Sequence, residues 1–250
     1  MIGVVLAAGA GRRLRPDTDA LPKTLLPVDG DTTILHLALR NLAAVGITEV
    51  VIVVGYAAAA IADRVPELER SAGVEITLVY NARAQEWNNA YSLWLAREYF
   101  GRGALLVNGD TIHPSSVEDA VLARANGQGA PPLGRIVIAI DDVKPLADEE
   151  MKVVLDPASL MLAITKEMDP SQAHGEYMGV TLIEPSAALG LSDALERTWR
   201  RDPSLYYEDG FAEFARRSGA VLAAPIGRVE WVEVDNHADL QRARAIASRC

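Results

Sequence analysis

Short apolar runs alternate with stretches of helical spacing over the first 125 residues, and this rhythm restricts the fold more than any other feature. Residues 2–7 form an apolar run with Val4 and Val5 at its centre, the pattern of a strand buried on both faces. Ile34, Leu37, Ala38 and Leu42 then recur at helical spacing over 33–44. A β-branched run at 49–54 predicts a second strand and 57–65 a helix. Alternation of Val74, Ile76, Leu78 and Tyr80 predicts a third strand, followed by a helix over 89–99. A fourth buried strand is read at 104–107, and a helix at 115–125 capped by Ser115 or Ser116. Strands alternating with helices specify a parallel sheet covered on both sides.

The stretch 126–134 holds three Gly and two Pro and reads as a loop and soft boundary. Beyond it the rhythm changes. Strands are expected at 136–140, 152–155, 161–165 and 177–183, helices at 186–200 and 210–218, strands at 220–225 and 230–234, and a last helix at 237–248. The fold class is therefore α/β, with a Rossmann-like, mostly parallel mixed sheet flanked by helices. The expectation is one domain over 1–250, its second half elaborating the first.

Strand one ends in Ala7-Ala8-Gly9-Ala10-Gly11-Arg12-Arg13-Leu14-Arg15-Pro16. Glycines directly after a buried strand let backbone N–H groups approach phosphate oxygens, and nearby arginines add charge-assisted hydrogen bonds. A dinucleotide fingerprint would need a third glycine where Leu14 stands and a helix starting at once. Pro16 and Pro22 forbid a regular helix through this stretch. No Gly-Lys-Ser/Thr follows, so the Walker pattern is absent too. What remains is a long basic loop closing in Pro22-Lys23-Thr24-Leu25-Leu26-Pro27. Long loops inside compact domains are usually functional, and a lysine point charge suits a phosphate.

The net charge of −10, from 24 basic and 34 acidic residues, argues against a nucleic-acid or anionic-membrane partner. It leaves room for a local basic pocket. The only cysteine, Cys250, permits neither an internal disulfide nor a cysteine metal site. The apolar start is too short to span a bilayer and lacks the flanks of a signal peptide. A cytoplasmic location is the expectation.

At this point the chain resembles a known family. The run from Leu6 through Gly9, Gly11 and Arg13 to Leu14, then Pro16, Pro22-Lys23 and Leu26-Pro27-Val28, is similar to the signature of the nucleotide-sugar pyrophosphorylase superfamily. The Ala7-Ala8-Gly9 form resembles cytidylyltransferases and some guanylyltransferases. The resemblance continues in Tyr80-Asn81, Asn88 to Leu93, Asn108-Gly109-Asp110, Gly175 to Val180 and Trp231 to Asp235. Together these look most like the bacterial phosphocholine cytidylyltransferase branch, which includes relatives acting on other phosphates and on phosphonates. The resemblance implies a nucleotide-diphospho-sugar transferase-like fold, with residues 1–125 as the nucleotide-binding half and 135–250 as the acceptor-binding half.

It also implies a reaction. CMP passes from CTP to a small phosphate or phosphonate acceptor and pyrophosphate leaves. Positioning and charge neutralisation dominate such chemistry, and Mg2+ with one or two carboxylates is the usual means. Asp110 and Asp235 each stand just beyond a strand end, and the resemblance makes both Mg2+ ligands. The catalytic residues implied are Lys23, Arg13 and Asp110. Ala7, Ala8, Gly9, Ala10, Gly11, Arg12, Arg13 and Lys23 would contact nucleotide, with Asn81, Asn88, Asn89, Ser92 and Asp110. Lys152, Lys166, Glu176, Tyr177, Tyr207 and Glu208 are the acceptor candidates. An acidic aromatic pocket from Glu176, Tyr177, Tyr206, Tyr207, Glu208 and Trp231 would suit a quaternary ammonium. No partner beyond substrates is implied, and a homodimer is left open.

Three alternatives stand beside this one. A sugar 1-phosphate nucleotidyltransferase would use another NTP. An NAD(P)-dependent oxidoreductase is opposed by Leu14, Pro16 and Gly55-Tyr56 in place of an acidic ribose ligand after strand two. A non-catalytic nucleotide-binding protein is opposed by the retention of Asp110 and Asp235.

Overall fold

A computed structural model describes residues 1–125 and 133–250. The expected loop at 126–134 thus lies mostly outside the described residues. The first half contains β1 (Ile2–Ala7), β2 (Pro27–Asp29), β3 (Thr32–Thr33), α1 (Ile34–Ala44), β4 (Glu49–Val54), α2 (Ala58–Ala62), α3 (Val65–Ala72) and β5 (Glu75–Tyr80). It continues with α4 (Asn89–Leu95), β6 (Ala104–Asn108), β7 (Thr111–Ile112) and α5 (Ser116–Ala125). The second half contains β8 (Arg135–Asp141), β9 (Lys152–Leu155), β10 (Met161–Thr165), β11 (Gly175–Ile183), α6 (Ala188–Arg201), α7 (Tyr207–Arg216), β12 (Ala220–Pro225), β13 (Val232–Glu233) and α8 (His237–Ile246).

Nine strands form one mixed sheet. Its order runs β10-β9-β11-β6-β1-β4-β5, with β8 pairing β11 and β12 pairing β8. β6, β1, β4 and β5 are parallel, whereas β11 runs antiparallel to β6. Period-2 alternation divides the apolar residues between the two faces. Val4, Val51 and Leu106 face a core covered by α6 and α7 residues such as Leu195 and Phe211. Val5, Ile52 and Leu105 face a second core that includes Leu35 and Leu39 of α1 and Val121 of α5. Burial on both faces is why these strands read as continuous apolar runs.

A third cluster ties the glycine-loop region to the end of the chain. Leu14, Leu26 and Val28 pack with Ile112, Val232, Val234 and Leu240 of α8. In the register of the sheet, Leu6 pairs with Asn108 and Ala7 with Val54, so the carboxyl ends of β1, β4 and β6 lie level.

Several boundaries differ from the sequence reading. The helix expected at 57–65 ends at Ala62, and an unexpected helix, α3, follows; Pro66, which lacks an N–H, sits in its first turn. The helix expected at 89–99 is α-helical only to Leu95 and then tightens into a 3-10 segment over Arg97–Arg102. α7 begins three residues before the expected Gly210. Two side chains cap its start: Asp209 accepts from Tyr206 N–H at 2.9 Å and Asn89 Oδ1 accepts from Tyr207 N–H at 2.9 Å. The second of these comes from across the sequence, where no local signal reports it.

One buried polar knot lies under α1 and α5. Asn41 Nδ2 donates to the His113 carbonyl at 2.8 Å, and His113 Nδ1 lies 3.5 Å from Glu118 Oε2. Glu118 is fully buried and neither of its carboxylate oxygens has a hydrogen-bond partner. Burial pushes Glu118 up to about 8 and His113 down to about 4. The folded chain therefore keeps the Glu118 proton over a pH range in which the unfolded chain has lost it. The stability linked to this group is lost as pH rises toward about 8. Glu118→Gln removes that dependence. Its melting temperature is expected to exceed that of the unaltered chain by more at about pH 8 than at about pH 5. Equal gains at both values, read by calorimetry, would contradict the buried-acid account.

Candidate active site

The segment after β1 is held by anchors in place of regular structure. Two single 3-10 turns, Arg12–Leu14 and Lys23–Leu25, are all the helix that the prolines allow. Leu14 is completely buried. Thr18 Oγ1 donates to the Gly11 carbonyl at 2.8 Å, and the Tyr56 hydroxyl reaches the carbonyls of Thr18 and Asp19. Gly11 sits at φ 57°, and a Cβ there would come within 2.9 Å of Lys23 Cβ. The left-handed backbone and the missing side chain let the end of the loop fold back over its start.

β7 and β13 form a separate two-stranded antiparallel ribbon, pairing Ile112 with Val232 and Thr111 with Glu233. Val234 N–H also donates to the Asp110 carbonyl at 2.8 Å. The ribbon brings Asp110 beside Glu233 and Asp235, and carboxylate oxygens of the three lie within 4.8 Å of one another. Lys23 Nζ lies 2.7 Å from Asp110 Oδ2 and 3.0 Å from Asp235 Oδ1. Arg13 holds the other Asp235 oxygen at 2.7 Å.

The charges set one another. Burial alone would lower the Lys23 ammonium, but Asp110 and Asp235 outweigh it and the pKa is raised. Burial would raise Asp235, yet Lys23 and Arg13 hold it below the usual carboxylate range. Glu233 is pushed up to about 7 by burial and by the neighbouring Asp110 and Asp235. Asp110 Oδ1 is a buried acceptor without a hydrogen-bond partner. Three clustered carboxylates, one with an orphaned oxygen, make a donor set of hard oxygens that fits a divalent cation of the Mg2+ class.

These residues border a cleft of about 340 Å3 at the carboxyl ends of β1 and β6. Ala7, Ala8, Gly9, Gly11, Arg12 and Arg13 line one part, and Asn88, Asn89 and Ser92 another. Lys23, Asp110 and Asp235 line it as well, with Lys166, Tyr177 and Glu208. Tyr177 reaches the cleft through a β-bulge, where β11 shifts register between Tyr177 and Thr181. Gly179, at φ 90°, lies in that bulge. A Cβ there would sit 2.7 Å from Asn108 Nδ2, so glycine gives Asn108 its place in the cleft wall.

Six residues expected at the site do not line the cleft; among them Trp231 borders a neighbouring cavity, its Nε1 donating to Asp141 Oδ2 at 2.7 Å. Ala10 is outside its wall. Asn81 is buried beneath it, donating to Ser92 Oγ at 2.9 Å and accepting from Arg83 N–H. Lys152 is wholly buried and its ammonium is held by the carbonyls of Asp148 at 2.6 Å, Glu150 at 3.1 Å and Ala147 at 3.4 Å. Its charge is satisfied by backbone, and it supports the 147–150 turn in place of meeting an acceptor. Glu176 pairs with Lys144 at 2.5 Å and faces a neighbouring cavity with Arg13, Lys166 and Glu233. Tyr207 is fully buried, with its hydroxyl on Asn108 Oδ1 at 2.9 Å. Within the cleft wall, Asn88 serves as the cap of α4, its Oδ1 accepting from Asn89 N–H and its Nδ2 donating to the Ser204 carbonyl.

Sequence reading missed Glu233. Its signal was the strand period: Glu233 and Asp235 are two residues apart and share a face. Glu208 is nearly buried, and its Oε2 has no hydrogen-bond partner. Burial, with the Glu233 carboxylate nearby, pushes Glu208 up to about 8. It lies at the junction of the cleft and a second cavity, lined also by Asp202, Asp209, Tyr206 and Lys166. No helix among the described residues is long and apolar enough to cross a membrane.

Residues 2–145 match the family described as Nucleotidyl transferase. The CMP-5'-(3-aminopropyl)phosphonate synthase of Streptomyces rubellomurinus is 32% identical over 254 residues, covering 96% of this chain and 38% of that protein. The choline-phosphate cytidylyltransferase of Streptococcus pneumoniae is 36% identical over 98 residues, 39% of this chain and 40% of that protein. A glucose-1-phosphate thymidylyltransferase of Streptomyces antibioticus matches at 25% identity over 246 residues, 96% of this chain and 64% of that protein. The chain therefore spans about two-fifths of the length of the first relative, and its aligned segment about two-fifths of the second. Among solved structures, the inositol-1-phosphate CTP transferase from T. maritima superposes with a TM-score of 0.80 at 22% identity, covering 97% of this chain and 94% of that one. That likeness shows the shared fold.

The acidic trio is open to a direct test. Glu233→Gln is expected to weaken Mn2+ binding by roughly tenfold or more, read by electron paramagnetic resonance. Unchanged affinity would remove Glu233 from the cation site.

Proposed function

Because the chain belongs to the nucleotidyl transferase family, we propose that it transfers CMP from CTP to a small phosphate or phosphonate bearing a cationic amine, with release of pyrophosphate. The observation that carries the transfer chemistry is the meeting of Lys23, Asp110 and Asp235 in the cleft bordered by the glycine loop. The preference for CTP is supported by the Ala7-Ala8-Gly9 form of the loop and by the CMP-phosphonate product named for the relative that matches 96% of the chain. The amine is supported by Glu208. A buried carboxylate with an unpartnered oxygen beside Tyr177 and Tyr206 favours a cationic ligand.

In this reading the backbone N–H groups of residues 8–11 and the Arg13 guanidinium hold the outer phosphates of the nucleotide. Asn89 and Ser92 face base and ribose. Lys23 neutralises charge where the acceptor oxygen meets the α-phosphorus. The acceptor oxygen attacks in line, its new bond to phosphorus forming as the bond to pyrophosphate breaks. That oxygen is already ionised, so no general base is needed. An Mg2+ held by Asp110, Glu233 and Asp235 would supply further neutralisation of the phosphates when bound. Lys166, in the cleft wall with its ammonium 5.6 Å from the Tyr206 ring centre, meets the phosphate or phosphonate end of the acceptor in this reading.

Three outcomes are expected. In a matrix of four NTPs against phosphates, phosphonates and sugar 1-phosphates, scored by pyrophosphate release with Mg2+, CTP with an aminoalkylphosphonate or phosphocholine gives the highest kcat/KM. Preference for dTTP or UTP with a sugar 1-phosphate would replace this reading with its sugar alternative. Lys23→Ala is expected to lower kcat by about a hundredfold or more, as loss of a charge-stabilising group does. Third, Glu208 must be ionised to hold an amine, so the KM for 3-aminopropylphosphonate should fall as pH rises toward about 8. In Glu208→Gln that pH dependence should vanish. A KM profile identical in the two proteins would remove Glu208 from acceptor recognition.

A further inference from the structure

Tyr207 is buried, and its backbone N–H and its hydroxyl are both engaged by residues that line the cleft. Its backbone N–H donates to Asn89 Oδ1 at 2.9 Å, and its hydroxyl donates to Asn108 Oδ1 at 2.9 Å. Asn89 and Asn108 both line the cleft. The hydroxyl also lies 3.1 Å from that of Tyr177, which is 2.7 Å from Thr181 Oγ1. Tyr207 stands between Tyr206 and Glu208, which line the acceptor wall. A second thread joins the same segments: Asn88 N–H donates to the Pro203 carbonyl and Asn88 Nδ2 to that of Ser204.

We propose that Tyr207 is a positioning residue that couples the nucleotide subsite to the acceptor subsite. The inference rests on the reading above, and adds to it that the acceptor wall is set by the state of the nucleotide wall. The argument is one of rigid connection. The Asn89 oxygen is committed to the α7 N–H, which leaves its amide nitrogen as the donor available to a nucleotide. A nucleotide that fixes the Asn89 amide fixes the start of α7 with it. Asn108 acts in the same way through the phenol, two residues from Asp110. Two hydrogen bonds donated by one residue to fixed side chains leave Tyr206 and Glu208 little freedom once both walls are ordered. Coupling of this kind predicts that nucleotide binding improves acceptor binding, and that the reverse holds.

Hydrogen exchange separates the coupling from the underlying function, because it needs only CTP with Mg2+. In the unaltered chain, CTP should slow exchange in residues 6–25 and also in residues 204–211, each by about tenfold or more. In Tyr207→Phe, which keeps the ring in its core, protection of 6–25 should persist while that of 204–211 falls in part, because the hydroxyl link to Asn108 is lost and the backbone link to Asn89 remains. The KM for 3-aminopropylphosphonate at saturating CTP should rise about tenfold, and the KM for CTP should rise by a like factor at saturating acceptor but by less than about twofold at low acceptor. Asn89→Asp keeps an oxygen for the Tyr207 N–H but loses the amide donor, so it should keep the protection of 204–211 seen without CTP, which Asn89→Ala loses, and lose the increment that CTP adds. A purely structural role would instead lower the melting temperature and raise the CTP KM at low acceptor as well. Protection of 6–25 without any at 204–211 in the unaltered chain would overturn the coupling while leaving nucleotide binding in place. Protection at neither segment would overturn both.

Discussion

Lys23 lies 2.7 Å from Asp110 and 3.0 Å from Asp235, residues separated in the chain by more than a hundred positions. Its ammonium is the charge on which the arrangement of the cleft depends. Three carboxylates within 4.8 Å repel one another, and burial raises the cost of keeping them ionised. A lysine with most of its side chain covered has the same difficulty with the opposite sign. Each makes the other tenable, and Arg13 extends the arrangement to the rim. Nothing local in the sequence brings these groups together. The β7/β13 ribbon does so, braced from below by the apolar cluster that joins Leu14, Val232 and Leu240.

The rest of the molecule serves this junction. Level carboxyl ends of parallel strands put the glycine loop and Asp110 on one edge of the sheet, the edge at which α/β sheets bind ligands. The antiparallel strand β11 continues the sheet beyond β6, and its bulge turns Tyr177 toward the cleft. α7 brings Tyr206 and Glu208 to the far wall. A chain of net charge −10 therefore concentrates Arg12, Arg13, Lys23 and Lys166 around one cavity while surrounding them with acids. Local field, not net charge, decides what such a cavity attracts.

The sheet was readable in the sequence because a strand buried on both faces must be apolar throughout. The strands at 49–54, 152–155, 161–165 and 220–225 appear at the expected residues. The irregular loop was readable because Pro16 and Pro22 exclude the alternatives. Less legible was anything set by contacts between distant segments. The early start of α7 depends on Asn89, more than a hundred residues away. The burial of Lys152 depends on three carbonyls of a turn, since a strand lysine carries no mark of which face it occupies. Tyr207 and Glu208 are adjacent in the sequence yet one fills the interior and the other borders the cleft. Glu233 could have been found from its spacing to Asp235, had the strand period been carried one step further. The segments that carry the family resemblance border the cleft, and contacts between distant segments separate the residues that line it from those that support it.

Attack at the α-phosphorus is the centre of the account, and radiolabelled nucleotide tests it most directly. With CTP labelled at either the α- or the γ-phosphate, Mg2+ and 3-aminopropylphosphonate, the α-label should appear in the acceptor product and the γ-label in pyrophosphate. A γ-label on the acceptor, or no transfer of the α-label to any phosphate or phosphonate tried, would contradict it.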